Sequence, residues 1–450
     1  TLVISSIGFT QQEVVVEEST LNVSLGVNSQ TLSDVVVVGY GTQRRAAVTG
    51  SIVTLRNDVL TKRQVASTSS LLQGLAPGVT VQQQSGKPGG DGASIRIRGI
   101  SSIVAGSSPL VMVDGVVSSL ENIDPNAIES ITVLKDAAST AIYGTRASNG
   151  VILVKTKRGT GKGISLSYNN FFSKQVATAI PKRVSAIEHM ELSNVAVKNY
   201  NPAATPSYSQ ALIDKYKTTP ANNLDVIDTD WLDLLLTNSG LLQNHNVQLN
   251  AGGERVNVFA SVTYLDQQGL IQNNSFKKYD IRFNPDFKLS DKLTLSGVFN
   301  YNNSTTLSPS TGTPELIIRQ AIGLPAVGGG KYGPGMYGTA GQTNNRNPIA
   351  MAEATGTSVT EQNSFLSKVA LNYKPVAGLD LEAYWARESW TPHGKSFMKN
   401  VDIFQPNVTT SSYDKIGVWP GTASLGESYS TNTRTSYLAQ ATYGRQFGAH

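Results

Sequence analysis

Few residues in this chain have a type and spacing that could do covalent chemistry. Its 450 residues hold no cysteine, which excludes disulfides, thiolate metal sites and a cysteine nucleophile. The four histidines, His189, His245, His393 and His450, are scattered, so no local histidine metal motif forms. Glu188-His189 lacks the second histidine four residues on that a zinc protease helix requires. Gly159-Thr160-Gly161-Lys162-Gly163 has the look of a phosphate loop but fails its spacing, because position 156 is Thr and neither Ser nor Thr follows the lysine. Gly39-Tyr40-Gly41 has no third glycine and no following helix, so it is not a dinucleotide fingerprint. Asn302-Asn303-Ser304 matches a glycosylation acceptor, a pattern too common to use. No nucleophile–base–acid set emerges. The expected catalytic residues, metal ligands and cofactors are therefore none, and the chain does not read as an enzyme.

One segment is better suited to binding than to reaction. Ser33-Asp34-Val35-Val36-Val37-Val38-Gly39 carries four consecutive valines, with high strand and poor helix propensity. It reads either as an ordinary linker strand or as a docking strand that pairs with another protein by β-augmentation, which needs only backbone and a free edge.

The composition narrows the setting. Charged residues make up 15%, against about 25% in ordinary globular chains, and uncharged polar residues take their place. This excludes a coiled coil, a charged disordered tail and a typical cytosolic enzyme. A net charge of +5 over 450 residues is too dilute to imply nucleic-acid binding. No apolar run of about 18 residues could form a transmembrane helix. The chain opens at Thr1 inside a strand-like pattern, with no Met and no basic leader, and closes at His450 shortly after another strand. Both ends read as cut.

Three regions follow along the chain. Residues 1–30 show short β pieces at Leu2–Phe9, Glu13–Glu17 and Leu21–Leu25. Residues 31–41 hold the valine segment. Residues 42–160 are mixed: a short helix over Ser67–Leu75 stopped by Ala76-Pro77-Gly78, strands at Val79–Val81, Ser94–Gly99, Leu110–Val113, Val116-Val117, Ser130–Leu134 and Val151–Lys157, and helical turns at Pro125–Ile128 and Lys135–Tyr143.

From about Gly163 the pattern changes to long period-2 alternation. In Tyr279–Leu289, Tyr279, Ile281, Phe283, Phe287 and Leu289 point one way and Asp280, Arg282, Asn284, Asp286 and Lys288 the other. Eight such strands occur, around Ile164–Phe172, Val247–Ala251, Val256–Tyr264, Tyr279–Leu289, Lys292–Tyr301, Ser364–Tyr373, Leu379–Trp385 and Tyr437–Tyr443. Tight turns (Gly252-Gly253-Glu254, Ser290-Asp291, Pro375–Gly378) alternate with long connections over about 174–240, 305–361 and 389–433. Short turns at one end, long loops at the other and apolar outward faces describe a transmembrane β-barrel, and Tyr168, Tyr264, Tyr301, Tyr373 and Trp385 suit its interfacial girdles. An eight-stranded barrel has an interior just filled by side chains. It cannot hold a domain of about 110 residues, whose radius of gyration is near 13 Å. The strands must therefore belong to a larger barrel.

Several motifs, in order, are similar to one family. They are Leu32–Arg44, Thr49-Gly50-Ser51, Leu72–Val79, Ile95–Gly99, Pro109–Gly115, Ile128–Ala137 and Ala141–Gly159. The chain resembles the SusC/RagA family of TonB-dependent outer-membrane transporters of Bacteroidetes, densely over residues 31–160 and in kind over the strands. The resemblance implies a mainly β protein: an α+β plug followed by an incomplete antiparallel barrel of about 22 strands when whole. It implies that residues 1–30 end a carboxypeptidase-regulatory-like domain, 31–41 carry the TonB box, 42–160 form the plug and 161–450 the first part of the barrel. Asp34, Val35, Val36, Val37 and Val38 would bind TonB, which works with ExbB and ExbD. A SusD-like surface lipoprotein, an oligosaccharide or peptide substrate and the lipid bilayer would be the other partners, with no nucleic acid. The implied function is active nutrient import across the outer membrane. The alternative is a secreted β-rich adhesion or binding protein, which should not show apolar outward faces on eight long strands.

Arg96 and Arg98 lie two apart on one expected strand, with Ile95 and Ile97 on its other face. They are either hydrated or paired, with the plug acids Asp91, Asp114, Glu121, Asp124, Glu129 or Asp136 or with barrel acids such as Asp280 and Asp286, a barrel contact making them a plug latch. The loop aromatics Tyr200, Tyr208, Tyr216, Trp231, Tyr332, Tyr337, Trp390, Tyr413 and Trp419 either stack on sugar rings or pack the loops.

Overall fold

The computed structural model describes residues 51–100, 106–220, 223–340 and 346–444, with residue 23 and the backbone of four short strands. Those four are β1 (Leu2–Ile4), antiparallel to β2 (Gln12–Val14), and β3 (Val35–Val38), antiparallel to β4 (Gly41–Arg44). Asp34 and most of the expected strand at Leu21–Leu25 lie outside the described residues.

The plug is a mixed α/β unit. It runs through β5 (Ile52–Arg56), α1 (Asn57–Leu60), β6 (Val79–Gln83), β7 (Ala93–Ile97), β8 (Leu110–Val113), β9 (Val116–Val117), β10 (Ile128–Leu134), α2 (Ala137–Thr140) and β11 (Val151–Thr156). Five strands form one sheet in the order β5-β10-β11-β8-β9, and β6 and β7 make a separate hairpin. The apolar runs Ile131–Leu134 and Val151–Val154 interleave only one polar residue, Thr132, and the structure buries them at the sheet centre with layers on both faces. Ile95 and Ile97 enter that core as expected. The expected helix over Ser67–Leu75 contracts to one 3₁₀ turn at Ser69–Leu72. Its serines and threonine compete with the helix: Ser67 Oγ bonds Ser69 and Glu121, and Thr68 Oγ1 donates to the Ile123 carbonyl.

The remainder is a long curved wall with elaborated loops. Its elements are β12 (Gly163–Gln175), α3 (Ala186–Tyr200), α4 (Gln210–Thr218), α5 (Trp231–Leu235), β13 (Gly240–Gly252), β14 (Val256–Gln268), β15 (Ser275–Ser290), β16 (Leu293–Pro309), α6 (Pro314–Gly323), β17 (Lys331–Gly333), β18 (Met336–Gly338), α7 (Pro348–Glu353), β19 (Gly356–Tyr373), β20 (Leu379–Met398), β21 (Val401–Asn407), β22 (Ser412–Trp419), β23 (Ser424–Tyr429) and β24 (Asn432–Tyr443). All eight expected strands form, and they stand side by side in chain order as one antiparallel sheet, β12-β13-β14-β15-β16-β19-β20-β24, with β23 paired to the loop end of β20. β15, β16, β19 and β20 reach 16 to 20 residues. A membrane needs only about 9–11, so these strands continue past it and carry the loops. Among the described residues the outer edges of β12 and β24 pair with no strand, and the sheet is open.

The faces divide as the alternation requires. Tyr279, Ile281, Phe283, Phe287 and Leu289 are 38–56% exposed, whereas Asp280, Arg282 and Asn284 are 2%, 1% and 0% exposed. An aromatic row crosses the outward face from Tyr168 through His245 and Tyr264 to Tyr279, with neighbouring ring centroids 5.0–6.3 Å apart. The inward face differs from a free lumen, because the plug lies against it. Asn284 donates to Thr156 Oγ1 and to the Lys157 carbonyl, so it has no room for a larger side chain. The long connections are also more than loops. Trp231, Leu235, Ile317, Tyr337, Ile349, Met351 and Ile403 build a second hydrophobic core from α5, α6, α7, β18 and β21.

An arginine on the outward face should cost about 2–4 kcal/mol at mid-membrane depth, and one at an inward, uncovered position little. In the full-length protein, Phe283→Arg should therefore lower the folded, heat-modifiable yield on gels, while Ser167→Arg should keep it. Equal yields would show that β15 faces no lipid.

Candidate functional site: the contact between plug and wall

The contact begins at a two-residue turn. Between β8 and β9 the chain must reverse within Asp114-Gly115, and both residues take positive φ, 48° and 82°. Asp-Gly is the pair that adopts such a turn at least cost. The turn folds the Asp114 carboxylate back onto β11, where it accepts from Thr156 N at 3.0 Å and Thr156 Oγ1 at 2.6 Å. The turn's tip projects into the wall. Lys368 Nζ donates to the Asp114 carbonyl at 2.7 Å and lies 4.2 Å over the Tyr384 ring, and Tyr384 Oη donates to the Gly115 carbonyl at 2.9 Å.

Three cations converge on this point. Arg282 of the wall, 1% exposed, sets its Nη1 3.8 Å from the Asp114 carboxylate, an ion pair too long to be a hydrogen bond. Among the described residues its Nε and Nη1 have no hydrogen-bond partner. Lys368 is the second cation. Arg158, from the plug's own end, pairs with Asp286 of the wall at 3.0 Å and donates to the Gly297 carbonyl at 2.9 Å. Burial alone would raise the Asp114 carboxyl, but Arg158, Arg282 and the Thr156 hydrogen bonds outweigh it and hold it below its ordinary value of 3.8.

From there the plug segment 115–126 tracks across the wall. Arg434 donates to the Val117 carbonyl at 3.0 Å, and Ser118 Oγ to Glu388 at 2.8 Å. Lys278 donates to the Glu121 carbonyl. Asn300 and Asn302 both donate to the Asn122 carbonyl, at 3.1 and 2.9 Å, and Gln248 donates to that of Asn126 at 3.1 Å. At the loop end a second contact joins plug and wall. Ser85 Oγ donates to Glu315 at the start of α6 at 2.8 Å, and Lys87 pairs with the same carboxylate at 3.2 Å. Burial pushes Glu315 up, but the backbone N–H at the helix start, Ser85, Lys87 and Thr313 hold it down to about 2. Gly89, at φ 69°, lets the plug loop pass so close to the wall that a Cβ there would meet the Phe276 ring at 2.5 Å.

The arginines singled out from the sequence occupy other places. Arg96 is half-buried within β7. The strand ends at Ile97, and Arg98 lies beyond it at φ 58°, so the two do not continue one alternating face. Among the described residues neither makes a hydrogen bond or ion pair with the wall. Arg98 faces the plug's own Asp136, whose carboxyl is held low first by the Ser139 backbone N–H and then, against burial, by Ser139, Ser51 and Arg98. Asp286 does hold a plug arginine, but that arginine is Arg158. Proximity of Arg158 to a barrel acid was not legible in the sequence, because it depends on where β11 ends against β15. Of the valine segment, the structure describes Val35–Val38 as a hairpin strand whose other edge is unpaired among the described residues.

The loop aromatics mostly pack. Trp231 and Tyr337 are core residues, Tyr332 stacks on Tyr413 with centroids 4.5 Å apart, and Arg434 lies over Trp390. Tyr200 stands exposed.

Residues 44–151 match the family described as TonB-dependent Receptor Plug Domain. TonB-dependent receptor P26 of Formosa agariphila is 34% identical over 442 residues, covering 96% of this chain and 41% of that one. TonB-dependent receptor SusC of Bacteroides thetaiotaomicron is 34% identical over 294 residues, covering 63% of this chain and 27% of that one. The chain belongs to the SusC/RagA-type TonB-dependent receptors. It spans less than half the length of either relative. The receptor's fold agrees with the solved structure of the RagAB peptide importer in its open-open state, at TM-score 0.71 and 23% identity over 91% of this chain and 46% of that one. The sheet of β12–β24 is therefore part of a transmembrane barrel wall in the outer membrane. No described helix is long and apolar enough to cross a membrane, and the wall crosses with strands instead.

Asp114→Asn leaves Arg282 as a buried charge without its counter-ion, and should loosen the plug by about 3 kcal/mol. Thr156→Val, which removes one hydrogen bond, should cost about 1 kcal/mol. Both are read as lowered urea midpoints of the purified full-length receptor. Because the Asp114 carboxyl is held low, its contribution is fully present above the unfolded value near 3.9 and is lost as pH falls through the folded one. Plug seating should be flat from neutral pH to about 4 and weaken below it, and Asp114→Asn should abolish that acid limb.

Proposed function

We propose that the receptor imports a nutrient of the glycan or peptide class across the outer membrane, driven by TonB. The supporting observation is a plug that sits against the wall through breakable polar contacts and is preceded in the chain by a short strand with an open edge. TonB engages that strand, Val35–Val38 with the preceding Asp34, and pulls on the plug. The proton-motive force, passed through ExbB and ExbD, supplies the energy, and no covalent chemistry falls to this chain. A SusD-like surface lipoprotein closes over the loops that carry the second core. The solved RagAB structure is that of a peptide importer, which favours a peptide cargo within that class. The alternative of a secreted adhesion protein is disfavoured by the exposed apolar outward face of β12–β24.

The hairpin register sharpens the TonB proposal. β3 and β4 are joined by Gly39-Tyr40, with Val38 opposite Gly41 and Val36 opposite Gln43. In a two-residue hairpin the flanking pair exchanges hydrogen bonds and pairs then alternate. Val36 and Val38 thus direct their N–H groups to β4, and Val35 and Val37 to the open edge. Val37→Pro removes an outward donor without touching the hairpin's own bonds. In the full-length receptor it should abolish growth on the nutrient whose use requires the gene, with membrane insertion unchanged. Normal growth of this variant would remove Val35–Val38 as the TonB strand. Copurification of a lipoprotein with the full-length receptor tests the lid.

A further inference from the structure

The inward face of β15 is a ladder of charge. Lys278, Asp280, Arg282, Asp286 and Lys288 leave it in turn, and their signs alternate. With the plug seated, two rungs pair across the interface, Arg282 with Asp114 and Asp286 with Arg158. Separating the surfaces would leave one charge of each sign on either side: Asp114 and Arg158 on the plug, Arg282 and Asp286 on the wall. Three of these four are provided for. Asp114 keeps both bonds to Thr156, because β11 belongs to the plug. Arg158 and Asp286 are 24% and 21% exposed and already reach water. Arg282, 1% exposed, does not, and a buried guanidinium without a counter-ion is costly.

Asp280 can meet that need. It stands two residues before Arg282 on the same face, about 6.6 Å along the strand, and is buried. Its Oδ2 accepts one long bond, from Asn300 at 3.4 Å, and its Oδ1 has no partner among the described residues. Among those residues no ion pair joins Asp280 to Arg282 while the plug is seated, and Arg282 Nε and Nη1 are themselves unpartnered. Opposite Arg282 stand Ser261 on β14 and Asn300 on β16, and each also carries an oxygen without a partner among the described residues. A guanidinium that turns by a rotamer step from Asp114 toward Asp280 therefore finds a carboxylate and neutral acceptors around it. Its 3.8 Å separation from Asp114 is beyond hydrogen-bond range, so no directed bond holds it back.

We propose that Arg282 exchanges counter-ions, Asp114 with the plug seated and Asp280 as the β8–β9 turn withdraws, so that the turn can leave this stretch of wall without stranding a buried charge. Asp280 is then no part of the seat, and it stabilises the unseated state. The inference rests on the geometry of the seat alone, and neither the cargo nor the TonB strand enters it. It fixes the sign of one substitution. Removing a group that holds the seat loosens the plug. Removing the charge of Asp280 should tighten it, because only the unseated state loses a bond.

Val116 can report the seat. It is buried and packs on Leu366, Tyr384 and Ala386 of the wall, and the 450 residues hold no cysteine. In a purified full-length receptor with Val116→Cys as its sole thiol, N-ethylmaleimide labels only when the turn leaves the wall. Asp280→Asn should slow labelling at least about tenfold, the scale of one hydrogen bond to a charged group, and Asp280→Glu should restore the native rate. In an Arg282→Met background, Asp280→Asn should leave the rate unchanged. Where Asp280→Asn gives no heat-modifiable receptor, Asp280→Ser takes its place. Unchanged or faster labelling in Asp280→Asn would overturn the exchange, as would slowing that persists without Arg282. Asp114→Asn should speed labelling in the same receptor, and a rate that ignores it would overturn the Asp114 seat itself.

Discussion

The seat of the plug depends on one buried carboxylate. Asp114 lies where β8 turns into β9, and its charge is the counter-ion for a guanidinium on the wall that has almost no exposure to water. Buried ion pairs add little net stability compared with apolar packing, because desolvation cancels most of their attraction. Their value lies in specificity: Arg282, Lys368 and Tyr384 meet the turn in one register only. An apolar plug surface of the same area would bind the wall more tightly and with no preferred position. It would also resist removal, which a polar contact between two preformed surfaces does not.

The same economy of apolar contact runs over the whole interface. The inward face of β14–β16 carries Ser261, Asp280, Asn284, Asn300 and Asn302, each with a buried oxygen that lacks a partner among the described residues. Buried polar groups normally find partners, and ordered water supplies them where side chains do not. The outward face is the reverse, apolar and aromatic, because lipid can satisfy no polar group. A single strand such as β15 therefore separates two solvents, and its two-residue period is the only pattern that can do so.

The loop domain obeys a third rule. Its helices and short sheet bury Trp231, Tyr337, Ile349 and Met351 in a core of their own, so the loops hold their shape independently of the plug. The Glu315 contact to Ser85 and Lys87 is the described point at which the rim helix α6 touches the plug.

Much of this architecture was legible in the residues themselves. Alternation over Tyr279–Leu289 dictated a strand with one face for lipid, and eight such segments stand in the wall in chain order, because neighbouring antiparallel strands need only a tight turn. The run Val151–Lys157 announced a strand, since that depends on local propensity. The helix over Ser67–Leu75 failed for a reason local patterns hide: its hydroxyls found partners in Glu121 and Ile123, more than fifty residues on. The plug–wall contacts were legible as chemistry but not as pairs. Two arginines near a barrel of inward acids suggested a latch, and the structure uses Arg158 with Asp286 and Asp114 with Arg282 instead. Strand period tells which face a side chain leaves, not how far along the wall it will meet the plug. Only the placement of β11 and of the β8–β9 turn against β15 and β19 decided that.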